Sequence, residues 1–150
     1  IDHFADAIFR AMTEHFGNAM PDMLVEPGRF IVGEAGVVHT EVVLVSARGR
    51  TDGLRWVYLD IGRFGGLAET ENESIRYAIR TGRDGAPSGP VALAGPTCDG
   101  ADILYEKTRY DLPLDLESGE VIDLLGTGAY VSTYCSTRFN GFAPLAEHYI

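Results

Sequence analysis

At 150 residues, with hydrophobic residues at 45% and charged residues at 23%, the chain has the make-up of one globular unit able to bury a core. Its formal net charge of −10 disfavours nucleic acid and anionic membrane surfaces as partners, since neither gains from an acidic face. There is no apolar run of about 18 residues that could span a bilayer as a helix.

The acidic balance suits a cationic small molecule, or simply a well-solvated surface. The two cysteines, Cys98 and Cys135, form neither a disulfide framework nor a metal-type spacing, so a reduced, cytoplasmic setting is the default. The chain opens at Ile1 already in helical pattern, without a basic stretch and an apolar core behind it. No signal peptide is expected, and a fragment or processed chain is.

Phe4, Ile8, Met12 and Phe16 recur every four residues and predict an amphipathic helix over Asp2–Phe16, stopped by Gly17. Met23-Leu24-Val25 reads as a short buried strand that ends abruptly in Glu26-Pro27-Gly28-Arg29. From Val37 the texture becomes β-rich. Strands are predicted at Val37–Ala47 and Arg55–Asp60, joined by a reversal at Gly49 and Asp52-Gly53. Gly62–Gly66 is a loop, Glu73–Arg80 fits a strand or a short helix, and Gly82–Gly89 is a second loop. Further strands follow at Val91–Ala94, Ile103–Tyr110 and Val121–Leu125, with a glycine-rich turn at Gly126–Tyr130 and an aromatic tail at Phe139–Phe142. The fold class is therefore mainly β. A β-barrel or sandwich over residues 37–150 follows a small α/β remnant over residues 1–36.

Four places could carry chemistry. Glu26-Pro27-Gly28-Arg29 follows an apolar strand, where α/β barrels place active-site groups. Gly28 would let backbone approach a phosphate, Arg29 could grip it with two hydrogen bonds, and Glu26 could hold a proton on a ring nitrogen. The same residues also suit a solvated turn. Cys98 lies between glycine-rich flanks in Gly95–Asp102, and Asp99 beside it could accept from an ammonium; an inert cysteine in a turn is the alternative. Tyr130 could point its phenol at a ligand or pack as an ordinary aromatic. The acidic cluster Glu69, Glu71 and Glu73 could receive a cationic tail or face water. The four histidines are scattered without ligand spacing, and neither a serine-nucleophile elbow nor a phosphate loop is present, so no metal is expected.

Taken in order, Glu26–Arg29, Gly95–Asp102, Gly128-Ala129-Tyr130 and Phe139–Phe142 resemble the ornithine/diaminopimelate/arginine decarboxylase family. These are pyridoxal-phosphate enzymes with an alanine-racemase-like barrel and a C-terminal β domain. The resemblance implies that residues 1–36 are the last helix and strand of a truncated (β/α) barrel, and that residues 37–150 are the β domain. It implies pyridoxal 5′-phosphate as cofactor, with Glu26 on the pyridine nitrogen, Gly28 and Arg29 on the phosphate, and Tyr130 also in contact. Cys98 would reach a partner subunit's site and protonate the carbon that lost CO₂. Asp99 would hold the distal ammonium of a basic amino acid, with Glu73 as a second candidate. Asp102 and Gly128 would lie near the interface of a homodimer with shared active sites.

Cys98-Asp99 resembles the ornithine or lysine/ornithine branch, where diaminopimelate enzymes typically carry Cys-Glu and an Arg-Pro-rich segment upstream. The expected activity is conversion of L-ornithine, or L-lysine, to putrescine or cadaverine and CO₂ in polyamine biosynthesis. The family needs a Schiff-base lysine, and the single lysine here, Lys107, matches no such context. The isolated chain is therefore expected to be inactive. A diaminopimelate-type enzyme, a non-catalytic homologue that binds a protein, and a free-standing β-domain binding module are the alternatives.

Overall fold

The computed structural model describes residues 1–47 and 54–150. Among these residues six strands form one curled sheet: β1 (Val37–Ala47), β2 (Arg55–Leu59), β3 (Ala78–Thr81), β4 (Ser88–Ala94), β5 (Ile103–Pro113) and β6 (Val121–Leu125). Their spatial order is β3-β6-β1-β2-β4-β5. Neighbours run antiparallel except β2 and β4, which pair parallel from Arg55↔Val91 to Tyr58↔Ala94. A parallel pair needs a long crossover. Residues 60–87 supply it and lay β3 on the far edge of the sheet on the way. The predicted reversal residues Gly49, Asp52 and Gly53 lie outside the described residues; β1 and β2 do pair antiparallel up to Ala47↔Arg55.

β1 buries Val38, Thr40 and Val42 and exposes the residues between them, the two-residue period of a strand with one face on a core. β4 instead buries Val91, Ala92, Leu93 and Ala94 in succession, because both of its faces are covered. Val91 and Leu93 join the main core with Val57, Leu59, Leu104 and Leu124. Ala92 and Ala94 pack with Leu54 and Trp56 on the opposite face.

The edge strands β3 and β5 are linked by side chains rather than by a backbone ladder. The pairing slips between Val91↔Tyr110 and Leu93↔Tyr105, so β5 bulges over residues 106–109. Glu73 accepts hydrogen bonds from the backbone N–H groups of Glu106, Lys107 and Thr108 at 2.9, 2.7 and 2.8 Å. Tyr105 Oη donates to the Ile75 carbonyl at 2.8 Å and accepts from the Tyr77 N–H at 3.2 Å. Tyr110 Oη donates to the Tyr77 carbonyl, and Arg76 lies 3.7 Å from the Tyr110 ring centroid. Residues 73–77 thereby occupy groups that an open strand edge would leave unpaired.

Some expectations change. The helix α1 (Asp2–Phe16) forms as its period predicts, but no residue of it is buried, and Phe4, Ile8 and Phe16 are exposed. Its Phe4 meets Phe30 edge-on at 5.7 Å. The strand predicted at Met23–Val25 does not form; these residues are exposed irregular chain. A strand needs a neighbour for its ladder bonds, and none of the six described strands runs beside it. A short helix, α2 (Gly28–Val32), starts instead within the Glu26–Arg29 motif. Glu73–Arg80 divides into the end of a 3-10 segment (Ala68–Glu73) and β3. β4 begins at Ser88, inside the predicted loop.

Candidate functional site

α2 and the 3-10 turn behind it (Gly33–Ala35) dock on the turn that follows β6. Thr127 N–H donates to the Gly36 carbonyl at 3.0 Å, and Gly128 N–H donates to the Gly33 carbonyl at 2.9 Å. Only glycines allow this approach: a Cβ on Gly36 would stand 2.5 Å from Gly128 Cα, and one on Gly128 would collide with the Val32 carbonyl.

The docking brings two motifs together that lie at opposite ends of the sequence. Arg29 sits over the Tyr130 ring, 5.3 Å from its centroid. The Tyr130 hydroxyl lies 3.5 Å from where a Gly28 Cβ would be. Arg29 also pairs through Nη2 with Glu69, forty residues along the chain. That bond holds the guanidinium more firmly protonated than an ordinary arginine. A guanidinium has five donors in a planar fork, so one carboxylate leaves it able to take a second acceptor. Glu26 is exposed immediately before α2.

Cys98 and Asp99 stand on a separate loop, anchored by Asp102. The Asp102 carboxylate is buried and accepts from Arg63 N–H at 2.7 Å, Thr97 N–H at 3.1 Å and Thr97 Oγ1 at 2.7 Å. A Cβ on Gly62 or Gly95 would stand 2.6 or 2.5 Å from Asp102 Cγ, so both loops must present glycine there. Gly95 N–H donates to the Asp102 carbonyl at 2.7 Å, and Asp102 N–H donates to the Asp99 carbonyl at 2.9 Å. Asn140 Nδ2 adds a bond to the Thr97 carbonyl at 2.9 Å, and Phe139 stacks on Phe64 at 4.0 Å. With its base pinned, the loop carries Cys98 and Asp99 into solvent. Cys98 and Tyr130 both hold positive φ, 61° and 55°, a region that non-glycine residues seldom occupy away from functional or turn positions.

The sequence grouped Glu69, Glu71 and Glu73 as one acidic cluster. In space each carboxylate has a different partner: Glu69 takes Arg29, Glu71 takes Arg63 at 3.1 Å, and Glu73 takes the amides of β5. Burial raises the pKa of Glu73, but the three backbone donors and Thr108 outweigh it and bring the carboxyl down to about 2. Glu73 therefore stands on the β3–β5 seam rather than with Arg29 and Tyr130. Sequence reasoning missed two residues of the Arg29 cluster's surroundings, the Glu69 pairing and the buried Tyr77. Their only signal was an acidic residue and an aromatic flanking a loop.

A cleft of about 1090 Å³ opens beside Tyr130, with Phe64, Thr97 and Phe139 in its walls. Among the described residues no group of three or more His, Cys, Asp or Glu side chains gathers as a metal site would require. No helix among them is long and apolar enough to cross a membrane.

Residues 5–128 match the family model of the pyridoxal-dependent decarboxylase C-terminal sheet domain. The chain is 31% identical over 138 residues to a lysine/ornithine decarboxylase of Selenomonas ruminantium, covering 91% of this chain and 33% of that protein. It is 32% identical over 114 residues to a diaminopimelate decarboxylase of Actinosynnema pretiosum subsp. auranticum, covering 74% of this chain and 24% of that one. Among solved structures, the lysine/ornithine decarboxylase of Vibrio vulnificus complexed with cadaverine superposes with a TM-score of 0.75 at 32% identity, over 95% of this chain and 37% of that chain. The chain thus spans a third or less of the length of these two curated relatives.

Proposed function

Since the chain belongs to the pyridoxal-dependent decarboxylase family through its C-terminal sheet domain, we propose that it supplies half of a shared active site in a decarboxylase acting on L-ornithine, and on L-lysine beside it. The observation that carries this reading is the meeting of Gly28, Arg29 and Tyr130 at the α2 docking site.

These residues fit a phosphate. Arg29 offers a planar fork with donors to spare, Tyr130 offers a hydroxyl, and Gly28 offers no side chain in the way. Bound pyridoxal 5′-phosphate supplies an electron sink for the pair left on the substrate when CO₂ departs. Glu26 would keep a proton on the pyridine nitrogen. Asp99 would accept from the distal ammonium of the substrate. Glu73 could share that task only by giving up three backbone donors, so the assignment rests on Asp99. Cys98 would deliver a proton to the carbon that lost CO₂. The solvent-facing Cys98–Asp99 loop supports a homodimer in which the loop of one copy completes the site of the other. Residues 1–36, with their exposed apolar face, are read as the end of a (β/α) barrel and residues 37–150 as the β domain.

The Schiff-base lysine is not among these 150 residues on this reading, because the single lysine, Lys107, sits exposed on the β5 bulge. The chain by itself should release no CO₂ from ornithine. The test is a side-by-side assay of the whole protein with pyridoxal phosphate and ornithine, lysine or diaminopimelate. Turnover of ornithine and lysine is expected. Turnover of diaminopimelate alone would replace this reading with the second one, which the 32% identity to a diaminopimelate decarboxylase keeps in view. Cofactor binding without turnover of any of the three would point to a non-catalytic homologue.

A further inference from the structure

Tyr77 is 3% exposed, and its buried hydroxyl has no acceptor for its proton. Such a group is costly and asks for an explanation. The residue has little freedom to find a partner itself. Its N–H is held by Tyr105 Oη and its carbonyl by Tyr110 Oη, so the backbone is fixed from both sides.

Two charged groups act on the hydroxyl. Burial raises the Tyr77 pKa and the charge of Glu69 raises it further, while the Arg29 guanidinium, which donates toward the phenol oxygen, opposes both. Arg29 has no acceptor atom and cannot receive the phenol proton. Glu69 has four lone pairs and can, but its carboxylate is engaged with Arg29 Nη2. Glu69 keeps some room to turn, with its side chain 22% exposed on the 3-10 segment. A phosphate on the same guanidinium would repel that carboxylate, since like charges close together disfavour one another.

We propose that Glu69 is a displaceable partner of Arg29: when an anion takes the guanidinium, the Glu69 carboxylate passes to the Tyr77 hydroxyl, which gains the acceptor it lacks. Tyr77 is then a positioning residue that acts on the anion site through Glu69. The inference rests on the reading of Arg29 as the phosphate-binding residue.

A double-mutant cycle in the whole protein tests it, with pyridoxal 5′-phosphate titrated by absorbance as the probe. Tyr77→Phe should weaken binding roughly tenfold, the scale of one hydrogen bond to a charged group present only in the bound state. In a Glu69→Gln background the same change should matter less than about twofold, because no carboxylate remains to be received. Glu69→Gln alone should bind at least as tightly as the unchanged protein. Unliganded Tyr77→Phe should melt close to the unchanged protein, since the hydroxyl proton it loses has no acceptor in that state.

Equal weakening by Tyr77→Phe in both backgrounds, or none in either, would overturn the hand-over. So would a marked drop in the unliganded melting temperature, which would mean that the phenol proton already has an acceptor. Arg29→Met is the separate control. If it binds the cofactor as well as the unchanged protein, the phosphate reading itself fails, and the hand-over fails with it.

Discussion

Gly36 and Gly128 meet backbone to backbone: a Cβ built on Gly36 would stand 2.5 Å from Gly128 Cα, and one built on Gly128 would stand 2.9 Å from Gly36 N. This contact locks α2 onto the turn after β6 and sets Arg29 against Tyr130. Gly128→Ala should therefore force the two segments apart. Overpacking of this kind costs about 1–3 kcal/mol. The melting temperature should fall, and pyridoxal phosphate affinity should fall with it, because the Arg29–Tyr130 arrangement depends on the docking. A Gly128→Ala protein that keeps both would show that the contact does not position the site.

Glu73 makes a prediction about pH. Its carboxyl is lowered from 4.5 to about 2 in the folded chain, by backbone donors that outweigh the opposing effect of burial. A depressed carboxyl stabilises the fold fully above its unfolded pKa and loses that contribution as pH falls through the folded value. Hydrogen bonds to a charged group contribute about 1.5–3 kcal/mol, and an amide can replace only part of that. Glu73→Gln should thus melt below the unchanged protein at pH 7. The gap should close as pH falls from 4.5 toward 2. Melting curves that stay parallel across that window would remove Glu73 from the seam, and a raised KM with unchanged melting would return it to the substrate.

Asp102 predicts how the Cys98 loop is held. Removing its carboxylate strands the buried Thr97 N–H and the Arg63 N–H, at a cost of about 1–3 kcal/mol for each unsatisfied group. Asp102→Ala should lower the melting temperature by several degrees in a domain of this size. Gly95→Ala should do the same by crowding that carboxylate. The outcome that would sink this account is a Gly95→Ala protein as stable as the original.

On the proposed reading, Cys98 acts in the chemistry and not in cofactor binding. It lies on a loop apart from Gly28, Arg29 and Tyr130. On the proposed reading, Cys98→Ala should leave pyridoxal phosphate affinity within about twofold while amine formation drops by about 10²–10⁴-fold, the usual size of a general-acid contribution. Normal putrescine or cadaverine output from that variant would take the proton-delivery role away from Cys98.

Much of the architecture was legible because it is written in local periods. The four-residue spacing of Phe4, Ile8, Met12 and Phe16 marks α1, and the β-rich run at Val37–Ala47 marks β1 with the bounds observed. The apolar run Met23–Val25 misled for a related reason. Such a run states that a strand would suit those side chains, not that a neighbouring strand is there to pair with.

The proposed site divides along the same line. Glu26, Gly28, Arg29, Cys98, Asp99 and Tyr130 are proposed from the sequence because short motifs set those residue types side by side. Which of them meet could not be named that way. Arg29 reaches Tyr130 only through the Gly36–Gly128 contact, and Glu73 was drawn from an apparent acidic cluster onto the β5 bulge. Local periods and residue types are enough for most of the strand pattern, the first helix and the chemical identities available. Which side chains share a pairing follows from the tertiary fold, since Arg29 meets Glu69, Glu73 meets the β5 amides and Asp102 meets Arg63 across long stretches of chain, and no local period encodes who a buried polar group will face.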